Sequence, residues 1–173
     1  MIVCKKCNTF AYCAAQLGKC KREAYVHQDS FEKPKRIYLI GSLRNAKVAE
    51  LGNLLRKEGF DIFDDWHAAG PEADDFWQKY EIAKGNNFRQ ALAGAAAQNV
   101  FAFDKRNLDA SDAVVMVMPA GKSGHLELGY MAGKGKKTCI FMNGEPERFD
   151  VMYLFADYIA LNESEVIEWV KGL

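Results

Sequence analysis

Short apolar runs alternate with amphipathic stretches along most of the chain. Five runs have the length and apolar content of buried strands, and they lie at 36–41, 60–65, 112–119, 137–143 and 157–161. Between the first two, apolar residues recur at helical spacing (Val48, Leu51, Leu54, Leu55) before a stop at Gly59. Strands that alternate with helices are typical of a mostly parallel sheet with helices on both faces. We therefore predict an α/β fold with a five-stranded sheet.

The other helices are predicted from start and stop signals. One begins near Glu72 and is broken by "GNN" at 85–87, after which a helical region runs to about Asp109. Ser123 is a candidate cap for a helix that ends among the glycines at 133–135. An amphipathic segment, "ESEVIEWVKGL", predicts a closing helix.

The first residues of the chain differ in composition from the rest. Residues 1–36 hold eight Lys/Arg and three Asp/Glu, whereas the whole 173-residue chain has no net charge. The polar stretch "FEKPKR" predicts a link between a Cys-rich segment, 1–34, and a single domain, 35–173. A basic segment can touch phosphates, but a solvated tail explains it equally well, and nucleic acid is not an expected partner.

Four of the five cysteines lie in the Cys-rich segment: Cys4, Cys7, Cys13 and Cys20. A C-x2-C pair followed by two more thiols suits one structural zinc ion, with His27 as a possible substitute ligand. The gaps are tighter than in common zinc ribbons, and free thiols or a flexible tail are the alternatives. No apolar run approaches the roughly 20 residues of a membrane span, and no export signal is evident. We therefore expect a cytoplasmic protein with no membrane partner.

Ligands of such folds bind beyond the carboxyl ends of the strands, so the loops after the first three strands are the candidate site. The first loop offers Gly41, Ser42 and Arg44, which otherwise form an ordinary solvated loop. The third, "GKSG", opens a helix, and its Lys122, Ser123 and Gly124 are typical either of an anion site or of close helix–sheet packing.

Glu127 lies about one turn into that helix, within the apolar stretch "HLELGYMAG". A surface glutamate near a helix start is the ordinary interpretation. A carboxylate at the mouth of the sheet can instead be a nucleophile toward an electrophilic carbon. Asp104 and Asp112 bracket "DKRNLDASD" and can face one cleft, although Asp112 also suits a structural turn before a strand.

Residues 36–171 resemble the nucleoside 2-deoxyribosyltransferase family, including its branch of 2'-deoxynucleoside 5'-monophosphate N-hydrolases. The resemblance lies in "HLELGYMAGKGKK" with the preceding "DASDAVVMVM", in "RIYLIGSLRN", and in "HAAGPEADD" with His67. It implies a flavodoxin-like (Rossmann-like) three-layer sandwich.

The resemblance also implies a reaction and roles. Glu127 would attack the anomeric carbon and displace the base, leaving a glycosyl-enzyme ester that another base or water resolves. Asp104 would support protonation of the base, and Tyr38 would help to hold the nucleophile. The resemblance implies no organic cofactor. It implies that the protein forms a homodimer or a higher homo-oligomer.

One position departs from the family pattern. Six residues before the nucleophile, transferases commonly have aspartate and hydrolases serine, whereas this chain has Gly121. Without an acidic residue beside Lys122 and Ser123, this position would not repel a 5'-phosphate on the substrate. Ser42 and Arg44 are further candidate donors to that phosphate. The resemblance therefore implies cleavage of the N-glycosidic bond of a 2'-deoxynucleoside or its 5'-monophosphate. The alternative is a nucleotide-binding sensor that has lost turnover and uses the Cys-rich segment to bind a partner.

Overall fold

A computed structural model of the protein describes residues 34–173. The predicted strands and helices are present, with the following bounds: β1 (Arg36–Ile40), α1 (Lys47–Lys57), β2 (Asp61–Phe63), α2 (Ala73–Ala83), α3 (Phe88–Ala93), α4 (Ala95–Asp109), β3 (Ala113–Val117), α5 (Lys122–Gly133), β4 (Lys137–Phe141), β5 (Tyr158–Ala160) and α6 (Glu163–Lys171). Single turns of 3-10 helix follow β2 (Asp65–Ala69) and precede β5 (Val151–Phe155).

The five strands form one parallel sheet in the order β2-β1-β3-β4-β5. This order is that of flavodoxin-like folds, and it confirms the predicted fold class. The order reverses between β1 and β3, which pair in parallel with Ile37 opposite Ala113. The loops after these two strands therefore diverge to opposite faces and leave a crevice at the carboxyl edge of the sheet.

Alternate residues of each central strand face the two sides of the sheet, and each side has its own apolar core. On one side, α1 and α6 pack through Val48, Leu55 and Val166 against residues such as Leu39 and Val115. On the other side, Leu108 of α4 with Leu128 and Met131 of α5 packs against Tyr38, Ile40, Val114 and Met116. Helices on both faces of the sheet make the three layers that the sequence predicts.

Three local details differ from the expectations. Ser123 does not cap α5, because the helix begins at Lys122 with Gly121 at the cap position and no side-chain cap bond. The helical region before Asp109 is two helices, separated at Gly94. Strand β2 is three residues long, because the chain turns into a 3-10 helix at Asp65.

Helix α2 contributes little to either core. Its one buried residue is Glu81, whereas Phe76, Tyr80 and Ile82 are all about 60% exposed. Among residues 34–173, no helix combines the length and the apolar character that a membrane crossing needs.

Candidate active site

A cavity of about 590 Å³ opens at the carboxyl edge of the sheet. Its walls come from the loop after β1, the 3-10 turn after β2, and helices α2, α4 and α5. The lining residues are Gly41, Leu43, Asp65, Trp66, Ala69, Ala73, Asp74, Asn99, Val100, Phe103, Asp104, Ser123 and Glu127. The loop after β1, the turn after β2 and the helix that follows β3 thus meet at this edge of the sheet.

Asp104 and Glu127 both line this cavity, and together they also line a smaller hollow of about 270 Å³ on its α4–α5 side. Asp104 is on the last turns of α4, and Glu127 is in the second turn of α5. Leu108, one turn after Asp104, and Leu128 are both buried in the core beneath them. Packing of the two helices on the sheet therefore brings the two carboxyls to one place.

Both carboxyls are harder to ionise than they are in water. Burial raises the pKa of Asp104 to about 6. Burial, with a smaller contribution from the charge of Asp104, raises the pKa of Glu127 to about 7. Among the described residues, Oδ1 of Asp104 is buried with no hydrogen-bond partner, so no donor offsets its loss of water.

Tyr38 lies beneath the pair. Its side chain is buried between the sheet and the α4–α5 layer, with its ring 5.0 Å from that of Phe63. Burial and then the charges of Glu127 and Asp104 raise the pKa of its hydroxyl far above the usual range. The Tyr38 hydroxyl therefore remains protonated and lies within electrostatic range of both carboxyls.

Between about pH 6 and about pH 7, two carboxyls with these pKa values hold about one proton between them. In the empty site the proton lies mainly on Glu127, whose pKa is the higher, and Asp104 is mainly ionised, so one group is an acid and the other a base. Where two carboxyls flank a glycosidic bond, this pairing supports displacement at the anomeric carbon with protonation of the leaving group. The arrangement can thus supply the two groups that glycosidic cleavage needs.

The raised pKa of Glu127 predicts that its ionisation lowers the free energy of unfolding. This effect can be measured without a substrate. A carboxyl whose pKa is about 7 when folded and 4.5 otherwise destabilises the protein as pH rises between these values. Glu127→Gln cannot ionise, so its free energy of unfolding should exceed that of the wild type by about 1–3 kcal/mol at pH about 8. Urea unfolding at acidic and alkaline pH measures the difference, which should shrink toward acid. A difference independent of pH would contradict a buried, ionising Glu127.

The residues predicted to bind phosphate separate into two neighbouring hollows. Ser42, Arg44 and Gly121 line a concavity of about 340 Å³ with Asn45, Pro119 and Ala120. Gly41 and Leu43, which alternate with Ser42 and Arg44 along the loop, line the main cavity together with Ser123. Lys122 is exposed in the first turn of α5 and lines neither.

The two glycines among the predicted binding residues have packing roles. A Cβ at Gly41 would lie 2.5 Å from Val48 Cγ2, so the close approach of α1 to the loop requires glycine. Gly124 is buried, and a Cβ there would lie 3.0 Å from Ile40 Cγ2. Both glycines thus bring a helix close to the sheet at the crevice.

Asp112 and His67 do not line the main cavity. Asp112 immediately precedes β3, at the opposite edge of the sheet, and its Oδ2 accepts a 2.8 Å hydrogen bond from the backbone of Arg36. The expectation that Asp104 and Asp112 share a cleft is therefore wrong, because the end of α4 carries the chain from Asp104 at the carboxyl edge to the opposite edge, where β3 begins. His67 packs edge-on against Trp66, with ring centroids 5.5 Å apart, in the 3-10 turn beside the cavity.

Comparisons with known proteins give a distant similarity. No family model matches the chain, and no curated protein matches it. Among solved structures, the chain is similar to the CMP N-glycosidase BcmB of Clostridium botulinum, with a TM-score of 0.48 and 14% identity. The match covers 79% of this chain and 99% of that one.

Two parts of the cavity wall, one from α4 and one from Trp66, were not predicted from the sequence. Helix α4 contributes Asn99, Val100 and Phe103 together with Asp104. Their i, i+1, i+4, i+5 spacing indicates that they share one face of the helix, and it is visible in the sequence. Trp66 is fixed because its indole Nε1 donates a 2.8 Å hydrogen bond to the carbonyl of Leu39. These residues add aromatic surface beside the two carboxyls.

The predicted zinc ligands Cys4, Cys7, Cys13 and Cys20 lie outside the described residues, so zinc binding stays a prediction. Within residues 34–173, no group of three or more potential metal ligands comes together. The remaining cysteine, Cys139, is buried in β4, where burial raises the pKa of its thiol to about 12.

Proposed function

We propose that this protein cleaves the N-glycosidic bond of a 2'-deoxynucleoside or its 5'-monophosphate, with Glu127 as the nucleophile. The observation that carries the proposal is the pair of Asp104 and Glu127 in one cavity, with pKa values near 6 and 7. The choice of reaction comes from the resemblance to the 2-deoxyribosyltransferases. The geometry supports it because the two carboxyls to which the resemblance gives roles meet in the cavity.

In the first step, a Glu127 oxygen attacks the anomeric carbon as the bond from that carbon to the base breaks. The electron pair of that bond goes to the base, which takes a proton from Asp104 and leaves. Positive charge that develops on the sugar beside Glu127 favours its carboxylate, and the shared proton then resides on Asp104. The products of this step are a sugar ester on Glu127 and an ionised Asp104.

In the second step, water or another base attacks the anomeric carbon and breaks the ester. Its proton goes to the Asp104 carboxylate, so both carboxyls return to their starting states. The two displacements retain configuration at the sugar. Water gives hydrolysis, and a base gives transfer of the sugar.

The size and lining of the main cavity fit a nucleoside. A volume of about 590 Å³ lies within the usual range for small-molecule sites of roughly 300–1,000 Å³. Trp66 and Phe103 on its wall offer aromatic surface against which a base can stack. The reacting bond would then lie between this aromatic wall and the carboxyl pair.

The direct test is incubation of the full chain with a panel of 2'-deoxynucleosides, ribonucleosides and their 5'-monophosphates, with and without a second base. Chromatography should detect free base with at least one 2'-deoxy substrate, and a new nucleoside when transfer occurs. Binding without release of base from any member would contradict the proposal and would favour the nucleotide-binding sensor.

We also propose that the protein forms a homodimer or a higher homo-oligomer. Phe88, Val100, Phe101 and Leu126 are each more than 60% exposed on α3, α4 and α5, and Val100 also lines the cavity. Exposed large apolar side chains are typical of an interface, and a second copy against Val100 would help to close the cavity. Sedimentation velocity should give at least twice the mass of one chain, and Leu126→Lys should lower it. A wild-type monomer at micromolar concentration would contradict this proposal.

A further inference from the structure

The guanidinium of Arg44, beside the cavity, already forms an ion pair with the carboxylate of Asp75. Nη2 of Arg44 lies 2.8 Å from Oδ2 of Asp75, which is in the first turn of α2. Both side chains are 54% exposed, so water reaches the pair. The backbone N–H of Arg44 also donates to Oγ of Ser42 at 3.2 Å, which holds the loop in a turn. A flexible guanidinium on an ordered loop can exchange one anionic partner for another.

Arg44 is placed where an anion has further donors available. It lines the 340 Å³ concavity together with Gly121, where α5 begins. No side chain of the described residues caps that helix, so the backbone N–H groups of its first turn are available to an anion. A phosphate in this concavity would contact both Arg44 and the start of α5.

The neighbouring cavity is strongly acidic. Asp65, Asp74, Asp104 and Glu127 line it, and of the described residues that line either hollow, Arg44 is the one with a positive charge. A phosphate group on the substrate therefore depends on Arg44 for a cationic partner. A phosphate that takes Nη2 of Arg44 competes with the contact that Asp75 now makes.

We propose that Asp75 is a specificity-determining residue, which weakens the preference for 5'-monophosphates over nucleosides by competing for Arg44. This inference rests on the proposed function for its substrates. An exposed ion pair is weak enough to be displaced, so Asp75 reduces phosphate binding without abolishing it. A nucleoside without phosphate leaves the pair intact and is insensitive to Asp75.

The test compares Asp75→Asn with the wild type. The kcat/KM for a 2'-deoxynucleoside 5'-monophosphate, relative to the same nucleoside, should rise about three- to tenfold. Glu72→Gln is the matched control, because Glu72 precedes the same helix and makes no ion pair among the described residues. The control should leave the ratio unchanged. An unchanged or lower ratio in Asp75→Asn, or an equal rise in the control, would overturn the proposal.

A second measurement tests whether Asp75 acts through Arg44. This measurement does not require turnover of a substrate. Titration of the full chain with inorganic phosphate, followed by NMR, should show tighter binding in Asp75→Asn by a similar factor. Arg44→Ala should weaken phosphate about 10–100-fold, as expected for loss of one charge-assisted contact. In that background, Asp75→Asn should have no further effect, and an undiminished effect would refute competition for Arg44. Absence of base release would count against the proposed function, and the phosphate titration would still decide this inference.

Discussion

Replacement of Glu127 by alanine should reduce base release by about four to six powers of ten, because the group that forms the glycosyl ester is lost. Among described residues that line the cavity, Asp104 is the carboxyl beside Glu127, and it is needed as the acid. The loss should appear in kcat, since the nucleophile acts in the chemical step and not in recognition of the base. Single-turnover kinetics with a saturating substrate would measure it.

Two further observations separate loss of the nucleophile from loss of the fold. Glu127→Gln keeps the shape of the side chain and should be equally inactive, although its fold is expected to be more stable at alkaline pH. With wild-type protein and a slow substrate, mass spectrometry should detect a sugar adduct on the peptide that contains Glu127. Near-normal turnover of the alanine variant, or an adduct on another peptide, would refute the assignment.

The second large effect is expected for Asp104→Asn. Loss of a general acid lowers rates by about 10²–10⁴-fold, and the loss should be smaller for a base that leaves readily as an anion. In the wild type, kcat/KM should be greatest between about pH 6 and about pH 7, where the pair holds one proton. Below this interval both carboxyls are protonated, and above it both are ionised.

The shape of the pH profile distinguishes an acid from a merely structural residue. Asp104→Asn should lose the alkaline decline, because no proton on residue 104 remains to be lost. Its acid limb should remain, because burial still holds the pKa of Glu127 above its usual range. A variant with reduced activity and an unchanged profile would show that Asp104 acts only through packing.

The sequence by itself determined the fold class. It also determined which strand and helix ends carry the candidate catalytic residues. Apolar runs such as 113–117 are buried on both faces, so their pattern predicts central strands of a parallel sheet without any knowledge of the neighbours. The position of Glu127 just inside the helix after β3 follows from the same pattern. Local spacing was sufficient here because the strand and helix periods are properties of the chain itself.

Other features depended on which elements pack together. Asp112 is eight residues from Asp104 in the chain, yet it lies at the opposite edge of the sheet, whereas the more distant Glu127 shares a cavity with Asp104. The pairing of Arg44 with Asp75 joins residues on a loop and a helix that no periodicity relates. The raised pKa values of Asp104 and Glu127 likewise come from burial by neighbouring elements. Distance and exclusion of water are properties of the packed protein, and for this reason only the tertiary structure decided them.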